Sequence, residues 1–289
     1  MNRQTGPGSA RRATLRRIGS ACAALLGLAA LRPAGARDTL RVGGTGSGVG
    51  GMRLVAAAFL RQAGAAPVDV LPAFGSAGGI GALVDGRLDI AVTNRPPNAA
   101  ESARARFKVQ EYARTPFVIA VHRDTGVEAL TSAQFAALYA QGAAAYPNGQ
   151  RARPVLRLPE EIDSRLVVAL VPEAGPAHES AQARKGMLHA ATDAEAAELV
   201  VRVPGAFAAS TLAQIETARL PFVALVIDGR VPSTAALASG QYPHFKPLYI
   251  VTRADAAART ASFVDFVMSE PGQAVLAAHG HLPRRAFRP

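Results

Sequence analysis

Two short apolar stretches, each running straight into glycines and hydroxyls and then into a helical pattern, constrain this chain more than any other feature. The first is Thr39 to Val42, followed by Gly43-Gly44-Thr45-Gly46-Ser47-Gly48-Val49-Gly50-Gly51 and by Met52, Val55, Ala56 and Phe59 at helical spacing. The second is Val68 to Leu71, followed by the small-residue loop Gly75-Ser76-Ala77-Gly78-Gly79 and a short helix from Ile80 to Val84. A strand that turns at once into a helix leaves backbone N–H groups unpaired at the positive helix end, where an anion is favoured. Glycine lets a ligand approach the main chain, and Thr45, Ser47 and Ser76 add hydroxyls. In an open α/β sheet, two such turns after successive strands face one crevice. For the first turn taken alone, ligand contact and a purely structural turn are equal readings. It is not a Walker loop, since no lysine follows, and it is not a dinucleotide fingerprint.

A third strand, Leu88 to Val92, ends in Thr93-Asn94-Arg95-Pro96-Pro97. Thr93 and Asn94 face the same crevice, Asp89 caps or braces the fold, and Arg95 reads equally as a solvated charge or a ligand contact. Further strands are Pro116 to Val121, Ala224 to Ile227 and Pro247 to Val251, with a last helix from about Ala257 to His279. Short strands alternating with helices predict the α/β class.

The first 36 residues form a separate unit: six arginines, no acidic residue, an apolar run from Ile18 to Leu31, then Ala34-Gly35-Ala36. That is the layout of a secretory signal peptide cleaved after Ala36, and the run falls short of the roughly 20 apolar residues a membrane span needs. Arg11-Arg12-Ala13-Thr14-Leu15-Arg16 resembles the twin-arginine export pattern, so the twin-arginine and Sec routes both stay open.

Removing the leader takes six of 32 basic residues and leaves 26 against 21 acidic, a net charge of +5. Basic residues are not interleaved with aromatics, which argues against nucleic acid. The single cysteine, Cys22, lies in the leader, so the mature chain has no thiolate nucleophile or disulfide. His122, His178, His189, His244, His279 and His281 lack metal-ligand spacing, and no Gly-x-Ser-x-Gly elbow is present. No enzyme, metal or cofactor is therefore expected.

Taken in order, these segments resemble the phosphate-binding family of periplasmic solute-binding proteins. The first glycine turn, Gly75 to Gly79, Asp89 to Pro97 and Pro116 to Arg123 stand in the family's order. So do Val203-Pro204-Gly205-Ala206-Phe207, Gln241-Tyr242-Pro243 with Pro247-Leu248-Tyr249-Ile250, and Phe263 to Pro283. The resemblance implies a type II periplasmic binding protein: two lobes, each a mixed sheet flanked by helices, joined by two crossing strands. Lobe 1 would be residues 37–120 plus 245–289 and lobe 2 residues 121–244. It also implies a monomeric, periplasmic protein that captures a small oxyanion and delivers it to the membrane permease of an ABC importer.

Carried over residue by residue, the ligand contacts are Thr45, Gly46, Ser47, Gly48, Ser76, Ala77, Asn94, Arg157 and Ser164. Two departures concern the anion. Glu161-Ile162-Asp163 stand where the family has Ser-Gly-Thr after its arginine, with Ser164 one place further on. Asn94 stands where phosphate binders carry an aspartate that accepts a ligand proton. Glu160, Glu161 and Asp163 either replace that acceptor or cap a helix beginning near Ser164. A sensor or accessory protein of the same fold is the alternative to transport.

Overall fold

The fold is described from a computed structural model covering residues 39–140 and 144–287. The leader and its cleavage site lie outside the described residues. In chain order the strands are β1 (Leu40–Gly44), β2 (Val68–Val70), β3 (Ile90–Thr93), β4 (Phe107–His122), β5 (Ala129–Leu130), β6 (Arg153–Leu156), β7 (Leu188–His189), β8 (Ala206–Thr211), β9 (Phe222–Ala224), β10 (Val226–Ile227), β11 (Phe245–Arg253) and β12 (Leu282–Pro283). The helices are α1 (Gly46–Phe59), α2 (Gly75–Val84), α3 (Ala99–Arg104), α4 (Ser132–Ala137), α5 (Ile162–Leu170), α6 (Gly175–Gln182), α7 (Asp193–Arg202), α8 (Leu212–Thr217), α9 (Thr234–Ser239), α10 (Ala258–Met268) and α11 (Glu270–Ala277).

One mixed sheet runs in the order β2-β1-β3-β11-β4-β8-β6-β7. The pairs β1–β2, β1–β3, β6–β8 and β6–β7 are parallel, as expected where helices connect them. The long strand β4 joins the halves: Phe107 to Pro116 pairs antiparallel with β11, and Phe117 to Val121 with β8. Hydrophobic packing divides along it. Tyr112 and Ala113 join a core with Leu40, Met52, Phe59, Ile250 and Phe263, whereas Phe117 and Ile119 join one with Phe135, Tyr139, Phe207 and Tyr242.

Between these cores, Thr115 is fully buried. Its Oγ1 donates to Gly280 O at 2.9 Å and accepts from Ala213 N at 3.1 Å. The middle of β4 is thereby tied to α8 and to the segment before β12.

Local structure departs from the sequence expectations in three places. The glycine-rich segments are mostly first helical turns: α1 begins at Gly46 and α2 at Gly75. The chain reverses within Gly44-Thr45, because Gly44 has φ +140° and a side chain there would collide with Val92 O. The last helix is two, since Ser269 adopts an extended conformation and caps α11, whose second residue is Pro271. The strand expected over Ala224 to Ile227 is broken at Leu225, so that β9 pairs with β4 and β10 with β5.

Candidate functional site

The turn after β1 puts Thr45 and Ser47 at the start of α1. Thr45 makes no side-chain cap for its own helix. Instead, Ser47 N donates to Asp193 Oδ2 at 3.1 Å, and Thr45 Oγ1 lies 3.0 Å from the same oxygen. Asp193 is the first residue of α7, whose own cap is Thr192 Oγ1, accepting from Glu195 N at 3.1 Å. Its carboxylate thus lies near two positive helix ends.

The other carboxylate oxygen meets two cations. Arg157 Nη1 and Lys246 Nζ each lie 2.9 Å from Asp193 Oδ1. Lys246 Nζ is also 2.6 Å from Asp163 Oδ1, and Arg157 Nη1 is 3.7 Å from Asp163 Oδ2. Lys246 is 0% exposed, Asp163 1%, Asp193 4% and Arg157 5%. These buried groups, two cations and two anions, balance as removal from water demands, and the half-exposed Glu161 reaches Arg157 Nη2 at 4.0 Å from the rim. Burial disfavours the charged form of Asp193, but Lys246 and Arg157 outweigh it and hold the carboxyl well below its usual range. Burial likewise opposes the charge on Lys246, and Asp163 and Asp193 overcome it and raise its pKa.

Supports surround the cluster. Arg157 Nη2 donates to Ala191 O at 3.1 Å, and Gln214 Nε2 to Asp193 O at 2.9 Å. Asn94 Nδ2 donates to Pro247 O at 3.0 Å, which turns Oδ1 toward the hydroxyls of Thr45 and Ser47.

Of the nine residues carried over from the family, Thr45, Ser47, Asn94 and Arg157 meet in this cluster. Gly46 lies against it: a Cβ there would stand 2.8 Å from Asp193 Cβ. Ser76 reaches it through Asn94, accepting from Asn94 N at 3.0 Å. Ala77 is exposed and takes no part in the cluster's hydrogen bonds. Gly48 faces Val92 and Tyr112, and its N–H is engaged by Thr45 O at 3.1 Å. Ser164 turns back to donate to Arg157 O and Leu158 O, because α5 begins at Ile162, earlier than expected. Asp163 is no helix cap; it is buried against Lys246. Asp89 accepts from Arg41 N at 2.8 Å and braces β1, and Arg95 pairs with Glu101 at 2.7 and 2.8 Å, so neither enters the site.

Asp193 and Lys246 were not foreseen. Beside the cluster, the cavity bordering Arg157, Asp163, Ser164 and His178 measures about 10 Å³, room for about one water. A hollow of about 540 Å³ lined by Met268, Glu270, Gln273, Arg284 and Arg285 borders none of these residues.

A family model described as a PBP superfamily domain matches residues 31–271. The chain belongs to the PBP superfamily. As a PBP superfamily member it has the fold of binding proteins rather than of enzymes. A putative phosphate ABC transporter substrate-binding protein with bound phosphate from Clostridium perfringens is similar over 85% of this chain and 99% of its own, at 18% identity and TM-score 0.69. An ABC-type phosphate transport receptor from Vibrio cholerae is 20% identical, with 84% and 99% covered and TM-score 0.55. The LysR family transcriptional regulator CbnR, 16% identical with 79% and 68% covered and TM-score 0.51, shares the architecture. At these identities the likeness is one of fold. No curated protein matches the sequence. Among the described residues no helix is long and apolar enough to cross a membrane.

Proposed function

We propose that this PBP superfamily member is an exported, periplasmic solute-binding protein whose cleft is built for a small oxyanion delivered to an ABC permease. The lobes, carried over from the family pattern as residues 37–120 with 245–289 and residues 121–244, would meet within β4, near Pro116 and Phe117, and close about it. The single observation that carries the reading is the donor set at Asp193: a helix-start amide, a hydroxyl, a guanidinium and an ammonium directed at one carboxylate. Charge-assisted bonds of this kind, held away from water, are the means of holding an oxyanion. Thr45, Gly46, Ser47 and Arg157 are the contacts from the family pattern, and Lys246 joins them.

A second reading, a sensor or accessory protein of the same fold, is favoured by the balance of the buried charges, which leaves no cation seeking an anion. Thermal-shift screening of the mature chain against phosphate, sulfate, molybdate, tungstate and small carboxylates separates the two, since a ligand that binds only the folded state raises the melting temperature. Capture predicts a rise with at least one oxyanion, lost in Arg157→Ala. No rise at millimolar concentration leaves the accessory reading.

A further inference from the structure

The buried cluster is shared unequally by the two halves. Arg157 follows β6, and Asp163 and Asp193 lie on α5 and α7, on the side of β4 that pairs with β8; these three carry one surplus negative charge, and Glu161, 4.0 Å from Arg157 on the same side, adds another. Lys246, Thr45, Ser47 and Asn94 belong to the other, with one positive charge. Asp193 binds on both sides: Oδ1 meets Arg157 in its own half and Lys246 opposite, while Oδ2 takes Ser47 N and lies against Thr45 Oγ1 opposite. Asp163 also crosses to Lys246, but it touches neither Thr45 nor Ser47 in the hydrogen-bond network. Asp193 is seated against the first turn of α1, where a Cβ on Gly46 would stand 2.8 Å from Asp193 Cβ.

We infer that the Asp193 carboxylate is a tethered substitute for the ligand, holding the halves together without solute, so that an oxyanion enters only by displacing it. The inference rests on reading the cleft as an oxyanion site. A group anchored in the same chain competes at high effective concentration and cannot diffuse away. Wild-type protein therefore takes up free anions weakly and is closed in their absence, and truncating Asp193 releases the donors for an exogenous anion.

The test compares wild-type mature protein with Asp193→Ala, titrated with phosphate, sulfate and formate, the last being a free carboxylate, with melting temperature as the readout. The expected result is at least about tenfold tighter binding of one of these anions by the variant. If both proteins respond and the variant binds more tightly, both the inference and the capture function stand. A response by the variant alone keeps the inference and removes anion capture by the wild type. Equal responses overturn the inference and leave capture standing, and no response by either overturns both. Should Asp193→Ala not fold unaided, folding restored by any of the three anions carries the inference, and failure of all three to restore it overturns it.

Discussion

Asp193 Oδ2 accepts the amide hydrogen of Ser47 at 3.1 Å, so the first turn of α1 is closed by a carboxylate 146 residues further along the chain. Helix starts are ordinarily capped by a neighbouring side chain. Here the cap comes from the first residue of another helix, and the same carboxylate carries the counter-charge for Arg157 and Lys246. A local requirement of α1 and the charge balance of the buried cluster are therefore met by one group.

Replacing Lys246 with methionine leaves Asp163 and Asp193 facing Arg157 alone. Breaking a buried ionic set by removing one member costs about 3–5 kcal/mol. Adding Asp163→Asn removes the surplus negative charge, so the double variant should recover part of that loss in urea unfolding. Additive losses would show that Lys246 and Asp163 are not coupled.

His281 is buried, with Nδ1 against Leu276 O at 3.1 Å, and burial pushes its pKa down from 6.5 to about 4. The folded state binds the proton less readily than the unfolded one, so this contribution is intact above pH 6.5 and is lost as pH falls toward about 4. Its full extent is about 3 kcal/mol. The stability of His281→Gln, measured by denaturant unfolding across this window, should decline less steeply than that of the wild type.

Asn94→Asp adds a third carboxylate to the buried cluster of Asp163 and Asp193 and turns an acceptor toward Pro247 O, which in the wild type receives the amide hydrogen. We expect a loss of about 2 kcal/mol at pH 7. The introduced group is favoured in its protonated form, so its folded pKa rises and the deficit should shrink as pH falls toward 4. A deficit that grows on acidification would refute this account of the position.

Gly44→Ala forces a side chain into Val92 O at φ +140°. Because the turn from β1 to α1 depends on it, a loss of about 3 kcal/mol or more is expected. The melting temperature measures it directly.

The fold could be read because strand, glycine turn and helix recur within local windows, as at Leu40 to Phe59. The helix starts were displaced because glycines look like loop residues even where, as at Gly46 and Gly75, they occupy a first turn. Asp193 was hidden behind an ordinary cap signature, Thr192-Asp193-Ala194-Glu195, which says nothing of a partner 146 residues away. Lys246 left a legible trace: in β11 it alternates with Leu248 and Ile250, all buried. A lysine on the core side of an apolar strand demands a buried acid, but only tertiary contact reveals which.

The bond from Thr115 to Gly280 makes the segment before β12 a working part of the joint between the two halves of the sheet. Cutting the protein before residue 280 would strand a hydroxyl that water does not reach and loosen α8 with it.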